Sequence, residues 1–149
     1  MHPSLPQRKT CSLRFIPLLW LLAGILCSCA LFGGQRNDEE ALRLTADRFN
    51  RALRWEDYQA AAARVAPSRR EAFWGLVDRM QGQVRVMDYQ VVDVVLNGKD
   101  GLGTVTLRYR FFLKRKPQLQ TAMVHQKWAF SDRDQTWQVV KDDLDQLLP

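Results

Sequence analysis

The sequence predicts an α+β domain in which N-terminal helices pack on a four-stranded antiparallel sheet. Three observations carry this expectation. Apolar residues recur at helical spacing between Leu42 and Met80. At Val84 the period changes to two, within a stretch rich in valine. Turn-forming clusters then divide the rest of the chain into strand-length segments in series. Helices followed by sequential strands indicate segregated layers, whereas alternation would give a parallel sheet.

Asn37 and Glu40 form a capping-box pattern that opens the first helix, and Asp38 and Glu39 complement its positive end. Leu42, Ala46, Phe49 and Leu53 then share one helical face, with Arg43, Asp47, Arg51 and Arg54 off it. Trp55-Glu56-Asp57 interrupts the pattern. A second helix runs through Tyr58, Ala61, Ala62 and Val65 and closes at Pro67. Ser68 is expected to cap a third helix, with Glu71 three residues on. Its apolar stripe is Phe73, Leu76, Val77 and Met80; Trp74 flanks the stripe and Gly82 ends it.

The first strand covers residues 84–96, and valine favours it. Asn97-Gly98-Lys99-Asp100-Gly101 suits a hairpin with positive φ. In the second strand Val105, Leu107, Tyr109, Phe111 and Leu113 alternate with Thr104, Thr106, Arg108, Arg110, Phe112 and Lys114. The first set reads as core and the second as mostly solvent-facing. Lys114-Arg115-Lys116-Pro117 is the second turn, residues 119–130 the third strand, residues 131–135 the third turn and residues 136–140 the fourth strand. A polar tail ends in Leu147 and Leu148. Phe49, Leu53, Val105, Leu107, Tyr109 and Trp137 are the expected core.

A chain of 149 residues suits one domain, and 46% hydrophobic with 26% charged residues is ordinary for a folded protein. The net charge of +6 is partly a property of the N-terminus. Arg8, Lys9 and Arg14 precede residue 29 and no acid does, so the remainder carries 19 basic against 16 acidic residues, a balance of +3. That is too mild a charge to indicate nucleic acid as a partner. The three cysteines, Cys11, Cys27 and Cys29, all lie in this N-terminal region. The domain after them therefore needs no disulfide, and a metal site would have to come from His125 and carboxylates; no cofactor or metal is expected.

A basic flank followed by the apolar run FIPLLWLLAGIL, twelve residues long, reads as an export signal. A membrane-spanning helix would need about 20 apolar residues. Leu26-Cys27-Ser28-Cys29 follows at once and resembles the lipobox of bacterial lipoproteins. Cys27 as the modified residue would put Leu26 where a small residue belongs, and fits worse. The resemblance implies diacylglycerol on Cys29 through a thioether and cleavage before it. Residues 1–28 are then the signal peptide, 29–36 a lipidated start and glycine-bearing tether, and 37–149 the domain. An uncleaved anchor, or a secretory signal with a coincidental cysteine, is the alternative. Ala30 is not the aspartate of inner-membrane retention, so the resemblance points to the periplasmic leaflet of an outer membrane where the host has one.

The segments ADRFNRAL at residues 46–53 and WEDY at 55–58 resemble the opening helices of nuclear-transport-factor-2-like proteins. So do YQVVDV at 89–94, TVTLRY at 104–109, QKWAF at 126–130 and TWQVV at 136–140. The resemblance spans residues 39–148. It implies a strongly curved sheet wrapped around the first helix as a cone. Isomerases, dehydratases, binding domains and assembly proteins share that fold, so it implies no single activity.

Several residues are candidates for chemistry. His125, on one strand face with Met123 and Lys127, would need an orienting acid and a cavity to act as a base. Asp88 and Asp93 are an odd number of positions apart, so at most one is expected to face a cone interior, where Tyr89 and Tyr109 would add hydroxyls. Trp55, Trp74, Trp128 and Trp137 either line a pocket or form core. Arg108, Arg110, Lys114, Arg115 and Lys116 make a basic patch suited to an anionic partner, or simply a solvated sheet face that discourages edge pairing. Three function classes remain: a non-catalytic lipoprotein that binds an envelope partner, a binder of small hydrophobic ligands, and an isomerase- or dehydratase-like enzyme. An inward carboxylate with open access marks the enzyme, an empty apolar cone the ligand binder, and a filled cone with a basic outer face the partner-binding module. Mass spectrometry of the membrane-bound protein is expected to find an acylated Cys29 at the N-terminus, and Cys29→Ala to release the domain or leave precursor; an intact, unmodified Cys29 in the membrane fraction would refute the lipobox reading.

Overall fold

A computed structural model describes residues 30–98 and 100–149, with side chains from Asp38 onward. The apolar run and Cys29 lie outside the described residues. A compact unit spans Gln35–Pro149; of the unit before it, Met1–Gly34, only helical backbone from Ala30 is described. The elements are α1 (Ala30–Arg54), α2 (Tyr58–Ala62), a 3₁₀ turn (Pro67–Arg69), α3 (Arg70–Gln81), β1 (Val84–Leu96), β2 (Leu102–Leu113), β3 (Lys116–Ser131), β4 (Thr136–Asp142) and a final 3₁₀ turn (Leu144–Leu147). The strands form one antiparallel sheet in the order β1-β2-β3-β4. This is the α+β architecture that the change of period predicts. No helix among the described residues is long and apolar enough to cross a membrane.

Helix α1 lies on the inner face of the sheet. Its residues Leu42, Ala46, Phe49 and Leu53 are buried, as their spacing requires. Phe49 meets Trp128 of β3 edge-on, with ring centroids 5.7 Å apart. Val105, Leu107, Tyr109 and Phe111 of β2, Val124 and Trp128 of β3, and Trp137 and Val139 of β4 complete the inner face. Gly103 leaves room for Leu42, because a Cβ there would collide with the Leu42 side chain. α1 ends in a left-handed residue, Glu56 (φ 59°). The bonds Glu56 N–H to Leu53 O and Asp57 N–H to Ala52 O close a Schellman-type cap. Asp57 then accepts from Ala60 N–H and starts α2.

The sheet bends at bulges. Register shifts fall between Val86 and Asp88 and between Val91 and Asp93 in β1, and between Lys127 and Trp128 in the β3–β4 pair. Each extra residue bends its strand and raises the twist. The edge of β4 is covered by the chain leaving α2: Val65 bridges Val139, Ala66 N–H donates to Val139 O and Val139 N–H to Arg64 O.

Four local expectations are corrected. α1 begins at Ala30 rather than at Asn37, so the backbone of residues 30–36 is already helical. Once burial fixes the later turns, propagation backwards costs little, and each glycine only about 1 kcal/mol. Ser68 does not cap: Pro67 sets φ for a 3₁₀ turn, and α3 starts at Arg70 with no side-chain cap. β3 begins at Lys116, so the second turn reduces to Lys114 and Arg115. The tail is not merely polar, because Leu144 and Leu147 are fully buried in the final 3₁₀ turn. Phe49→Ala is expected to cost about 3–5 kcal/mol, measured by denaturant unfolding. A loss under about 1 kcal/mol would contradict its central place.

Candidate functional site

The concavity that would hold a ligand is occupied by side chains. Asn50 of α1 is fully buried there, as is Gln126 of β3. Asn50 Nδ2 donates to Ala46 O at 2.7 Å and to Gln126 Oε1 at 3.2 Å. Asn50 Oδ1 accepts from Gln126 Nε2 at 2.8 Å and from the Tyr109 hydroxyl. Both donors and both acceptor sites of the amide are thus used. Burial pushes the Tyr109 hydroxyl well above its ordinary pKa, so it remains a donor at neutral pH. Sequence reasoning placed Tyr109 inside but missed Asn50 and Gln126. Asn50 sits one residue after Phe49 on the apolar face, and Gln126 shares its strand parity with Val124 and Trp128; that placement was the available signal.

Asp88 and Asp93 do not lie on opposite faces. Asp88 pairs with Arg110 and Asp93 with Thr106, both solvent-side positions of β2. The second bulge inserts Val92 and resets the alternation, so neither carboxylate faces the interior. Met87 and Val92, the extra residues, are 43% and 45% exposed.

A carboxyl that the sequence did not single out does lie inward. Asp142 pairs with the buried Gln126 at the end of β4. With Arg69, Arg79, Phe73 and Leu76 it lines a cleft of about 220 Å³ beside α3. Burial holds its pKa above the ordinary value, opposed by the Leu144 N–H bond and by Arg69. A strand ended at Val140 hides this residue.

The larger of the two concavities lies between α1 and β1, an edge strand among the described residues. It measures about 540 Å³, with Glu40, Arg43, Asp47, Arg51 and Arg54 on the helix side and Asp88 and Tyr89 on the strand side. Arg51 pairs with Asp47 at 2.6 Å. Tyr89 donates to Asp47 Oδ1 at 2.7 Å, and its pKa is pushed up to about 12, first by burial and then by that carboxylate. Asp88 joins the groove to the outer sheet face, lying 3.8 Å from Arg54 and 3.3 Å from Arg110. Trp55 stands at the rim, 66% exposed, with the Arg54 guanidinium 5.4 Å from its ring centroid.

Arg108, Arg110, Lys114, Arg115 and Lys116 are all exposed. They are not equally free. Arg110 is held by Asp88, Arg108 donates to Gln90 at 3.4 Å, and Lys114 turns to Gln81 O at the end of α3, where a cation suits the helix dipole. His125 faces outward. Its ring Nδ1 lies 3.1 Å from Asp143 Oδ2 and its backbone N–H donates to Asp143 Oδ1 at 2.6 Å. It has an orienting acid, but it lines neither of the two concavities above. The tryptophans divide: Trp128 and Trp137 are core, Trp74 is half-buried, and Trp55 is in solvent. Among the described residues no three His, Cys, Asp or Glu side chains converge to hold a metal.

No protein-family model matches the sequence, and no curated protein does. Solved structures do match. A ketosteroid isomerase-like protein from Erwinia carotovora atroseptica aligns over 70% of this chain and 92% of its own, with 15% identity and a TM-score of 0.57. A conserved protein from Planctomyces limnophilus aligns over 72% and 94%, with 16% identity and a TM-score of 0.55. A SEC-C motif-containing protein from Rhodopseudomonas palustris aligns over 63% and 70%, with 16% identity and a TM-score of 0.51. At these identities the likeness shows the fold alone, helices packed on a four-stranded antiparallel sheet.

Because Asp142 has a raised pKa in the folded state, folding favours its protonated form. Its burial penalty is present at neutral pH and relieved as pH falls through the folded pKa. Asp142→Asn is therefore expected to raise the melting temperature at pH 7, with the advantage over wild type shrinking toward pH ~4. Parallel melting curves across that range would show that the carboxyl carries no such penalty.

Proposed function

We propose that this chain is an envelope lipoprotein, anchored through Cys29, whose cone domain is a non-catalytic module that binds an anionic partner. The observation that carries the reading is the occupied interior. Asn50, Gln126 and Tyr109 satisfy one another, and Trp128, Leu144 and Leu147 are fully buried beside the same inner face. A substrate placed there would have to displace buried side chains. The anchor rests on the lipobox resemblance, and the anionic partner on the exposed cations of β2 and its turn. Anchoring would keep these cations near the envelope surface, where their field extends about 8 Å at physiological salt.

A second reading has one observation in its favour. The inward Asp142, with its raised pKa and arginine neighbours, is the kind of group an isomerase- or dehydratase-like enzyme uses, and one fold relative is ketosteroid isomerase-like. The cleft of about 220 Å³ is small beside ligand pockets of about 300–1,000 Å³. A small hydrophobic ligand would meet the same restriction.

The test is crosslinked recovery of partners by the full-length protein from its own envelope. Arg108→Glu with Arg115→Glu avoids Arg110, whose reversal would set a new carboxylate against Asp88. The double reversal, and raised salt, are each expected to reduce recovery. Stability should change by less than about 1 kcal/mol, since both side chains are exposed. Recovery unchanged by both treatments would reduce the patch to a solvated face.

A further inference from the structure

We propose that the groove between α1 and the edge of β1 binds an acidic sugar, a saccharide bearing a carboxylate or a phosphate. The site lies on the far side of β1 from the cations assigned to partner binding, and it goes beyond that reading. Its volume of about 540 Å³ falls within the range of small-molecule sites. Its lining is not the apolar wall that a hydrophobic ligand needs.

The chemistry of the lining selects the ligand. Arg43 and Glu40 are one helical turn apart, yet neither has an ion-pair partner within 4.0 Å among the described residues. Among the described residues the groove thus offers a fork of donors and a pair of acceptors side by side, neither engaged in an ion pair. A guanidinium binds a carboxylate or phosphate through two parallel bonds, and a carboxylate accepts from hydroxyls. An inorganic anion uses only the first of these, and a neutral sugar gains little from Arg43. Trp55 adds a flat apolar surface at the rim that would pack against the C–H face of a sugar ring. The Arg54 guanidinium, stacked on Trp55 and only loosely held by Asp88 at 3.8 Å, is a second donor beside that surface. Of the three guanidiniums in the lining, Arg51 is taken by Asp47, and Asp88 is shared with Arg110 of the outer face, so Arg43 and Arg54 are the cations left for an anionic group. Tyr89 fixes Asp47, and Asp47 fixes Arg51, so the floor of the groove is set before a ligand arrives.

The experiment is a ligand-observed NMR titration of the full-length protein in detergent. The probes are glucuronate and glucose 6-phosphate, compared with glucose, inorganic phosphate and a triglutamate peptide. At least one acidic sugar is expected to bind saturably and about tenfold more tightly than glucose or phosphate. Trp55→Ala and Arg43→Ala, both at exposed positions, should each weaken that binding by about tenfold with the melting temperature unchanged. The Arg108→Glu/Arg115→Glu protein should keep it, which separates this site from partner capture on the outer face. Absence of saturable binding by both acidic sugars overturns the proposal. So does equal binding of phosphate, which would make the groove a plain anion site, or of triglutamate, which would make it a peptide site. Binding that survives both groove substitutions overturns it as well.

Discussion

One amide sets the relation between helix and sheet. Asn50 spends four hydrogen bonds on its own helix, on β3 and on β2, so α1 cannot rotate or slide in the concavity without stranding buried polar groups. Apolar packing alone tolerates small shifts; a saturated amide in a dry interior does not. Around Asn50 the inner face is therefore filled by structural contacts.

The two edges of the sheet are treated differently. The edge of β4 is closed by the chain that leaves α2. The edge of β1 has no strand partner among the described residues and is interrupted by two bulges that swing Met87 and Val92 into solvent. Bulges of this kind discourage pairing with another strand while leaving side chains free to form a wall. The groove occupies that edge. Its helix side is built from positions 40, 43, 44, 47, 51 and 54, a second stripe on α1 beside the buried one.

Where alternation was unbroken, the sequence was legible. Val105, Leu107, Tyr109 and Phe111 of β2 are buried as their spacing requires, and the apolar stripes of α1 and α3 are buried too. Legibility failed at bulges. Asp88 and Asp93 came out on one face because Val92 is an added residue, and Asp142 came out inward beyond a strand end that the sequence did not mark. A bulge leaves no periodic signal, since it is fixed by pairing with a strand elsewhere in the chain. The groove was hidden for a related reason. Arg43, Asp47, Arg51 and Arg54 read as solvent because helical period separates buried from exposed positions but does not say which exposed positions face another element.

Asn50 and Gln126 are 76 positions apart, and this distance bears on how the chain folds. During N-to-C synthesis the apolar stripe of α1 emerges long before the strand that receives it. The helix cannot be buried until β3 exists, and β4 then closes on a segment laid down near Val65. Non-local closure of this sort is slow, and the stripe of Leu42, Phe49 and Leu53 stays exposed to wrong partners in the interval. In a chain so arranged the stripe of α1 finds its cover only when the C-terminal third is complete.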